Sequence, residues 1–158
     1  DGKWMVRIET PKAGGPYTVT VKAGKIQKVI NNVMIGEVWL CSGQSNMEMP
    51  LKGFKAQPVK NSEAIVKNLE NNVIRFFDVK NVSWKKPLYN CAGEWKSACP
   101  ANTVDFSATA YLFALNIYNL LNVPVGIIES DWGGTPVEAW INKKTLSGYP
   151  LAVPVVKY

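Results

Sequence analysis

The sequence lacks histidine altogether, although histidine is the base that usually activates a serine nucleophile near neutral pH. It also has no apolar run as long as a membrane span. Its three cysteines, Cys41, Cys91 and Cys99, do not have the spacing of a metal site. No stretch matches G-x-S-x-G, so the nucleophile elbow of the α/β-hydrolases is excluded.

Composition places the chain among folded globular proteins. Its 158 residues are enough for one domain with a real core, and 47% are hydrophobic against 19% charged. The net charge is +6, but the basic residues are dispersed, and no basic stripe or nucleic-acid module is visible. We therefore expect neither a nucleic-acid nor a membrane partner, and we interpret the charge as solubility with at most a mild attraction for acidic sugars.

The cysteines and the first residue bear on the compartment. Cys41 lies in an apolar stretch and is expected to be a buried free thiol. Cys91 and Cys99 flank a short loop and could form a disulfide in an exported protein. No signal-peptide pattern opens the chain, yet it begins with Asp1 and not Met, so we expect a processed or trimmed product from which a signal could have been removed. The expected location is secreted, periplasmic or lysosomal.

A serine on a tight turn is the first candidate for chemistry. The sequence GEVWLCSGQSNMEMPL, residues 36–51, begins with an apolar run that predicts a buried strand over Glu37 to Cys41. Small polar residues around Ser45 then predict a turn, and Pro50 limits the next helix to a short one. Open α/β folds place reactive groups at such strand ends. The alternative is that Ser45 only caps the short helix.

A glycine pair downstream is the second candidate. Val125 to Ile128 predicts another strand, and Gly133-Gly134 follows it. Two glycines before a helix let backbone N–H groups approach a ligand, as an oxyanion hole requires. Thr135 is expected to cap that helix, with Pro136 as its first residue. An ordinary tight turn is the alternative.

Both stretches resemble one family. GQSNM after an apolar strand is similar to the nucleophile block of the SGNH-type esterases, in the branch of the sialate O-acetylesterases and related carbohydrate acetylesterases. PVGIIESDWGGTPVEAW, residues 124–140, resembles a later block of the same branch, in the expected order. The resemblance runs from about Gly14 to Asn142.

The resemblance implies an acetyl-serine mechanism without metal or organic cofactor. Ser45 would be the nucleophile, and the N–H groups of Ser45 and Gly134 would form the oxyanion hole, with Gly133 as the alternative donor. The substrate would be an acetylated sugar, sialic acid or another. Residues expected to bind it are Gln44, Asn46 and Trp132. By the same resemblance Asp131 is not the triad acid, because the family's Asp-x-x-His block lies further along than Tyr158.

The expected architecture is an α/β, flavodoxin-like parallel sheet with helical crossovers. Residues 34–158 would be the first part of the esterase domain, and residues 1–33 the last strands of a small β-sandwich. Three strands are predicted in that first segment, beginning with Trp4, Val6 and Ile8. A helix capped by Asp105 is predicted from Phe106 to Leu121, and Lys80 to Pro100 is predicted to be an irregular loop.

Several interpretations stay open at this level. A second polypeptide could supply the missing His and Asp, or the chain could be an inactive truncated fragment. A non-catalytic glycan-binding module would instead use exposed tryptophans, with Trp84, Trp95 and Trp132 as candidates. An esterase with an unusual base from this chain is a further alternative.

Overall fold

A computed structural model describes residues 4–69, 73–84, 86 and 88–149. The strands are β1 (Gly14–Ala23), β2 (Ile26–Ile35), β3 (Glu37–Gly43), β4 (Ile74–Asp78), β5 (Trp95–Ser97) and β6 (Val125–Asp131). The helices are α1 (Ser45–Glu48), α2 (Ser62–Lys67), α3 (Pro100–Thr103), α4 (Ala108–Leu121) and α5 (Lys143–Leu146), with a 3₁₀ turn at Val137–Trp140. No helix in the described ranges is long and apolar enough to cross a bilayer.

The four-stranded sheet has the order β3-β6-β4-β5. β6 is parallel to both of its neighbours, and β5 is antiparallel to β4. Parallel neighbours require crossovers, and α4 supplies one between β4 and β6. The α/β architecture with parallel strands and helical crossovers is therefore confirmed. The carboxyl ends of β3, β4 and β6 meet at one edge, where Gly43 lies opposite Asp131 and Asp78 opposite Glu129.

The core lies between this sheet and α4. Alternate residues of β6 are buried from Val125 to Asp131, so one face of the strand points under the helix. Ile74, Ile127 and Ala114 are fully buried there. Ser107 caps α4 by accepting a hydrogen bond from Ala110 N–H at 3.1 Å, and the positive φ of Asn122 ends the helix.

The first two strands form a separate two-stranded hairpin. Gly24, with a φ of +58°, begins the two-residue turn between Ala23 and Ile26. The Arg75 guanidinium of β4 donates to Asn32 Oδ1 at 2.6 Å, which ties the hairpin to the sheet. That the hairpin belongs to a β-sandwich domain, with a boundary near residue 33, stays a prediction.

Several local predictions were wrong. Residues 4–10 form no strand, and their apolar side chains, such as Trp4 and Ile8, are exposed, because alternation without a partner strand does not suffice. The strand before Ser45 is present but is not buried: Val38 and Leu40 are mostly exposed. No β-strand pairs with the free edge of β3 in the described part of the chain.

The segment before α4 also differs from the expectation. Asp105 does not cap the helix but forms an ion pair with Lys52, and the helix begins at Ala108. Lys80 to Pro100 is not wholly irregular, since it contains β5. All three cysteines are free thiols, with Cys41 buried as predicted. The capping and apolar pattern from Asn61 to Leu69 also predicts a short amphipathic helix that ends at Asn71-Asn72. That expected end lies outside the described residues, and the observed helix, α2, ends at Lys67.

Candidate active site

Ser45 is the first residue of α1, directly beyond the carboxyl end of β3. Gln44 occupies the N-cap position, and its side chain makes no capping bond. The Gln44 carbonyl accepts from Met47 N–H at 2.8 Å and from Glu48 N–H at 2.9 Å, which closes the turn. The interpretation of Ser45 as a helix cap was therefore wrong. At this first position its own N–H has no intrahelical acceptor and points out of the helix start.

The loop after β6 lies against Ser45. A Cβ atom at Gly133 would be 3.2 Å from Ser45 Oγ and would overlap the Glu48 carboxylate, so only glycine fits there without displacing a neighbour. Gly133 N–H donates to Glu48 Oε2 at 3.0 Å. Gly134 has a φ of +77°, and its N–H has no acceptor among the described residues. The Gly134 N–H is therefore available to donate to a ligand, while the Gly133 N–H already donates to the Glu48 carboxylate.

A small network holds this loop in place. The Gln44 side-chain amide donates to the Thr135 carbonyl, and Trp132 N–H donates to the Gly43 carbonyl at 3.1 Å. Thr135 Oγ1 donates to the Trp132 carbonyl at 2.7 Å and accepts from Trp140 Nε1 at 2.8 Å. Thr135 therefore closes the loop. The prediction that Thr135 caps the following helix was wrong, because the N-cap of the 3₁₀ turn is Pro136.

The structure gives the expected substrate-binding residues different surroundings. Gln44 is committed to the loop through Thr135. The Asn46 backbone carbonyl accepts from Thr109 Oγ1 at 3.1 Å, and its exposed side chain makes no such bond among the described residues. Trp132 is 38% exposed next to Gly133. Of these three residues, Asn46 and Trp132 therefore have the side chains that a ligand can contact without breaking the bond from Gln44 to Thr135.

Two buried carboxyl groups end β6. Glu129 and Asp131 are each 7% exposed and lie two residues apart on the buried face of the strand. Burial, followed by the hydrogen bond to Asp131 and the Asp131 charge, raises the pKa of Glu129 to about 9. Burial also raises the pKa of Asp131, which the hydrogen bond from Glu129 lowers in turn. At neutral pH Glu129 therefore keeps its proton and donates a hydrogen bond to the Asp131 carboxyl group.

Sequence reasoning did not assign a role to this pair or to Glu48. Its available signal was the alternation Ile127, Glu129, Asp131, which continues the buried period past the apolar run. No group of three or more His, Cys, Asp or Glu side chains in the described ranges is arranged to hold a metal ion. The site is thus built from one serine, one glycine loop and carboxyl groups.

A serine at the start of a helix after a parallel strand, facing a glycine loop after the neighbouring strand, defines the class as an SGNH-type α/β esterase fold. No family model matches the sequence. The chain is 32% identical over 157 residues to the sialate O-acetylesterase of Rattus norvegicus and to that of Homo sapiens, each match covering 90% of this chain. It spans 28% and 29% of the length of those two relatives.

A crystal structure gives the same answer. A carbohydrate acetylesterase from Xanthomonas citri matches this structure with a TM-score of 0.84 and 35% sequence identity, over 91% of this chain and 32% of that chain. Over the matched residues, the sequence and the fold are those of the SGNH-type esterases, the group that contains these sialate and carbohydrate acetylesterases.

Proposed function

We propose that this chain carries the nucleophile and the oxyanion hole of an esterase that removes O-acetyl groups from sugars. The supporting observation is the contact geometry around Ser45, whose Oγ would be 3.2 Å from a Cβ at Gly133. This places the hydroxyl beside a loop whose Gly134 N–H is available to an oxyanion. The names of the relatives, sialate O-acetylesterase and carbohydrate acetylesterase, support the acetyl ester as substrate.

The proposed reaction is a double displacement. Ser45 Oγ attacks the acetyl carbonyl carbon while a base removes its proton, and the carbonyl oxygen becomes an oxyanion. Ser45 N–H and Gly134 N–H are the proposed donors to that oxyanion, because Gly133 N–H is bonded to Glu48. Collapse of the intermediate breaks the bond to the sugar oxygen, which takes the proton from the base and leaves as a hydroxyl group. Water then hydrolyses the acetyl-serine and restores Ser45.

The proposed base is a histidine from outside these 158 residues, which contain none. It would come from a longer form of the chain or from a second polypeptide. Denaturing intact-mass spectrometry of the protein as its organism produces it identifies which. A single mass matching these 158 residues, together with esterase activity, would refute a histidine-dependent mechanism. Fractionation of the same cells tests the proposed secreted, periplasmic or lysosomal location.

The serine is tested by Ser45→Ala in that same protein. Loss of a nucleophile that acts together with its base should lower kcat for an acetyl ester by at least about a thousandfold. Ser62→Ala is the matched control, since Ser62 is also the first residue of a short helix but lies in α2. Activity unchanged in Ser45→Ala would overturn the proposal. Glycan binding retained without any hydrolysis in the unmodified protein would favour a binding module instead.

A further inference from the structure

A cavity of about 510 Å³ lies at the carboxyl ends of β4 and β6. Its floor includes Phe76 and Phe106, whose rings stack with centroids 4.0 Å apart. Asn81 and Asn102 add amide groups to its wall. This volume lies within the range of small-molecule sites, and the edge is where open α/β sheets bind ligands.

One buried atom in this cavity has no partner among the residues that the structure describes. Asp131 is more than nine-tenths buried and lines the cavity, and its Oδ2 accepts no hydrogen bond from any of those residues. The protonated Glu129 donates to the Asp131 carboxylate, while Ser107 N–H donates to Glu129. A buried carboxylate oxygen without a donor is unfavourable, because its lost hydration is not replaced. A ligand that supplied an O–H or N–H group to this oxygen would remove that penalty.

The charge of the cavity selects the ligand further. Among its described lining residues, Lys96 pairs with Glu94 at 3.4 Å and Asp105 pairs with Lys52. The remaining charged groups are the carboxylates of Glu48, Asp78 and Asp131, against the single ammonium of Lys80. Excess negative charge repels an anionic ligand, and the repulsion is strongest in a partly buried site.

The cavity adjoins the proposed nucleophile. Glu48 lines the cavity, and the same carboxylate accepts from Gly133 N–H. Gly133 in turn lies against Ser45 Oγ. A ligand in the cavity is thus separated from the serine by one side chain, so a sugar in the cavity and an ester at Ser45 can belong to one substrate.

We propose that this cavity binds an uncharged sugar residue of the acetylated substrate through a hydroxyl that donates to Asp131 Oδ2, and that it disfavours carboxylated sugars such as sialic acid. This deepens the proposed function and rests on it. Sugar hydroxyls are neutral donors, and the amides of Asn81 and Asn102 suit the same chemistry. The preference is opposite to the attraction for acidic sugars that the overall net charge suggests.

The test compares two esters and one small reporter on the protein as its organism produces it. The esters are an O-acetylated methyl xyloside and O-acetylated sialic acid, and the reporter is 4-nitrophenyl acetate, which has no sugar. Asp131→Asn replaces the free acceptor with an amide of the same shape. It should lower kcat/KM for the xyloside ester about tenfold or more, and should lower kcat/KM for 4-nitrophenyl acetate by a clearly smaller factor, because that reporter has no sugar.

A second variant tests the proposal even if Asp131→Asn does not fold. Asp78 is exposed on the cavity wall, so Asp78→Asn should fold and should raise kcat/KM for the sialic acid ester about twofold to fivefold at low salt. Glu63→Gln makes the same charge change on α2, outside the cavity lining, and should change neither ester. Equal or better hydrolysis of the sialic acid ester by the unmodified protein would overturn the proposal, as would an Asp131→Asn variant with unchanged kcat/KM for the xyloside ester.

Failure of the proposed function is distinguished by binding. Saturation-transfer NMR with unacetylated methyl xyloside and with sialic acid reports the cavity whether or not Ser45 is reactive. Xyloside binding that Asp131→Asn removes, without any hydrolysis of 4-nitrophenyl acetate, would support the sugar site and refute the esterase. No xyloside binding, or stronger binding of sialic acid, would overturn the sugar site.

Discussion

Strands β3 and β6 are parallel neighbours that both lead into the site, yet they are held very differently. β6 pairs on both sides and buries every second residue from Val125 to Asp131. β3 pairs only with β6 in the described part of the chain, and Leu40 is 67% exposed. The glycine loop that carries the proposed oxyanion donor therefore follows a strand paired on both edges, while the proposed nucleophile follows an edge strand.

The difference teaches where the site obtains its rigidity. Ser45 is positioned less by the packing of its own strand than by bonds to the loop after β6, through Gln44 and Glu48. Cys41 and Trp39 do anchor the inner face of β3, and Trp39 meets Phe113 of α4 edge-on at 5.2 Å. An open edge that carries apolar side chains is a template on which a further strand can pair.

The largest expected effect contrasts the two strands directly. Ile127→Ala on β6 removes a side chain that is fully buried and should lower the free energy of unfolding by about 2–5 kcal/mol. Leu40→Ala on β3 deletes a side chain of equal size that is mostly exposed, so its effect should stay within about 0.5 kcal/mol. Urea unfolding followed by fluorescence measures both.

This pair can also break the comparison. If Leu40→Ala is as destabilising as Ile127→Ala, the outer face of β3 is buried in the protein in solution, and the two strands are held alike. The edge would then be covered by a partner or by further chain, and intact-mass spectrometry of the same sample would identify which.

The comparison also shows what could be predicted from sequence. Apolar runs located β3, β6 and α4, because each of these elements contributes apolar side chains to the core. The same runs could not show that β3 is exposed, since its burial depends on what pairs beyond its free edge. β5 was missed because three residues in a tryptophan-containing loop leave no period.

The site was predicted less completely than the fold. The resemblance to esterase blocks selected Ser45 and Gly134, which the structure brings to one loop-helix junction. Glu48, Glu129 and Asp131 were not selected, because a carboxyl group is a candidate only once its burial and its neighbours are known. The end of β6 was predicted three residues too early, because the apolar run ends at Ile128. The polar residues Glu129 and Asp131 continue the strand and are buried although they are not apolar.

The next effect separates the two glycines that follow β6. Gly134→Ala places a Cβ in open space but forces a φ of +77° on an alanine, which is unfavourable by about 1–2 kcal/mol. Gly133→Ala instead overlaps the Glu48 carboxylate. Each should lower kcat/KM for 4-nitrophenyl acetate about tenfold to a hundredfold, through displacement of an oxyanion donor or of the loop.

Glu48→Ala tells these mechanisms apart. It removes the carboxylate that a Cβ at position 133 would overlap, and it leaves the backbone strain at position 134 unchanged. The double change with Gly133→Ala should therefore recover part of the lost activity, while the double change with Gly134→Ala should recover none. If both double variants recovered the same share of activity, the Glu48 side chain would determine the conformation of the whole glycine loop. The positions of both glycines would then depend on the helix that follows β3.

The last expected effect is the pH dependence of the buried end of β6. The pKa of Glu129 is raised from 4.5 to about 9, mainly by burial, with Asp131 and Asp78 as the facing charges. Below pH 4.5 the carboxyl group is protonated in both the folded and unfolded states, and its stabilisation is fully present. Between 4.5 and 9 only the folded state keeps the proton, so the free energy of unfolding should fall as the pH rises.

Glu129→Gln isolates this contribution, because the amide keeps the shape and a donor toward Asp131 but cannot ionise. The urea midpoint of the unmodified protein should decrease between about pH 5 and pH 8.5, and that of Glu129→Gln should decrease less. Glu63→Gln, an exposed change on α2, should keep the full slope. An identical slope in all three proteins would show that Glu129 is ionised in the folded state. Asp131 would then lose the hydrogen bond from Glu129. An ionised Glu129 would also require water at the end of β6, so that this end would be hydrated like the exposed residues of β3.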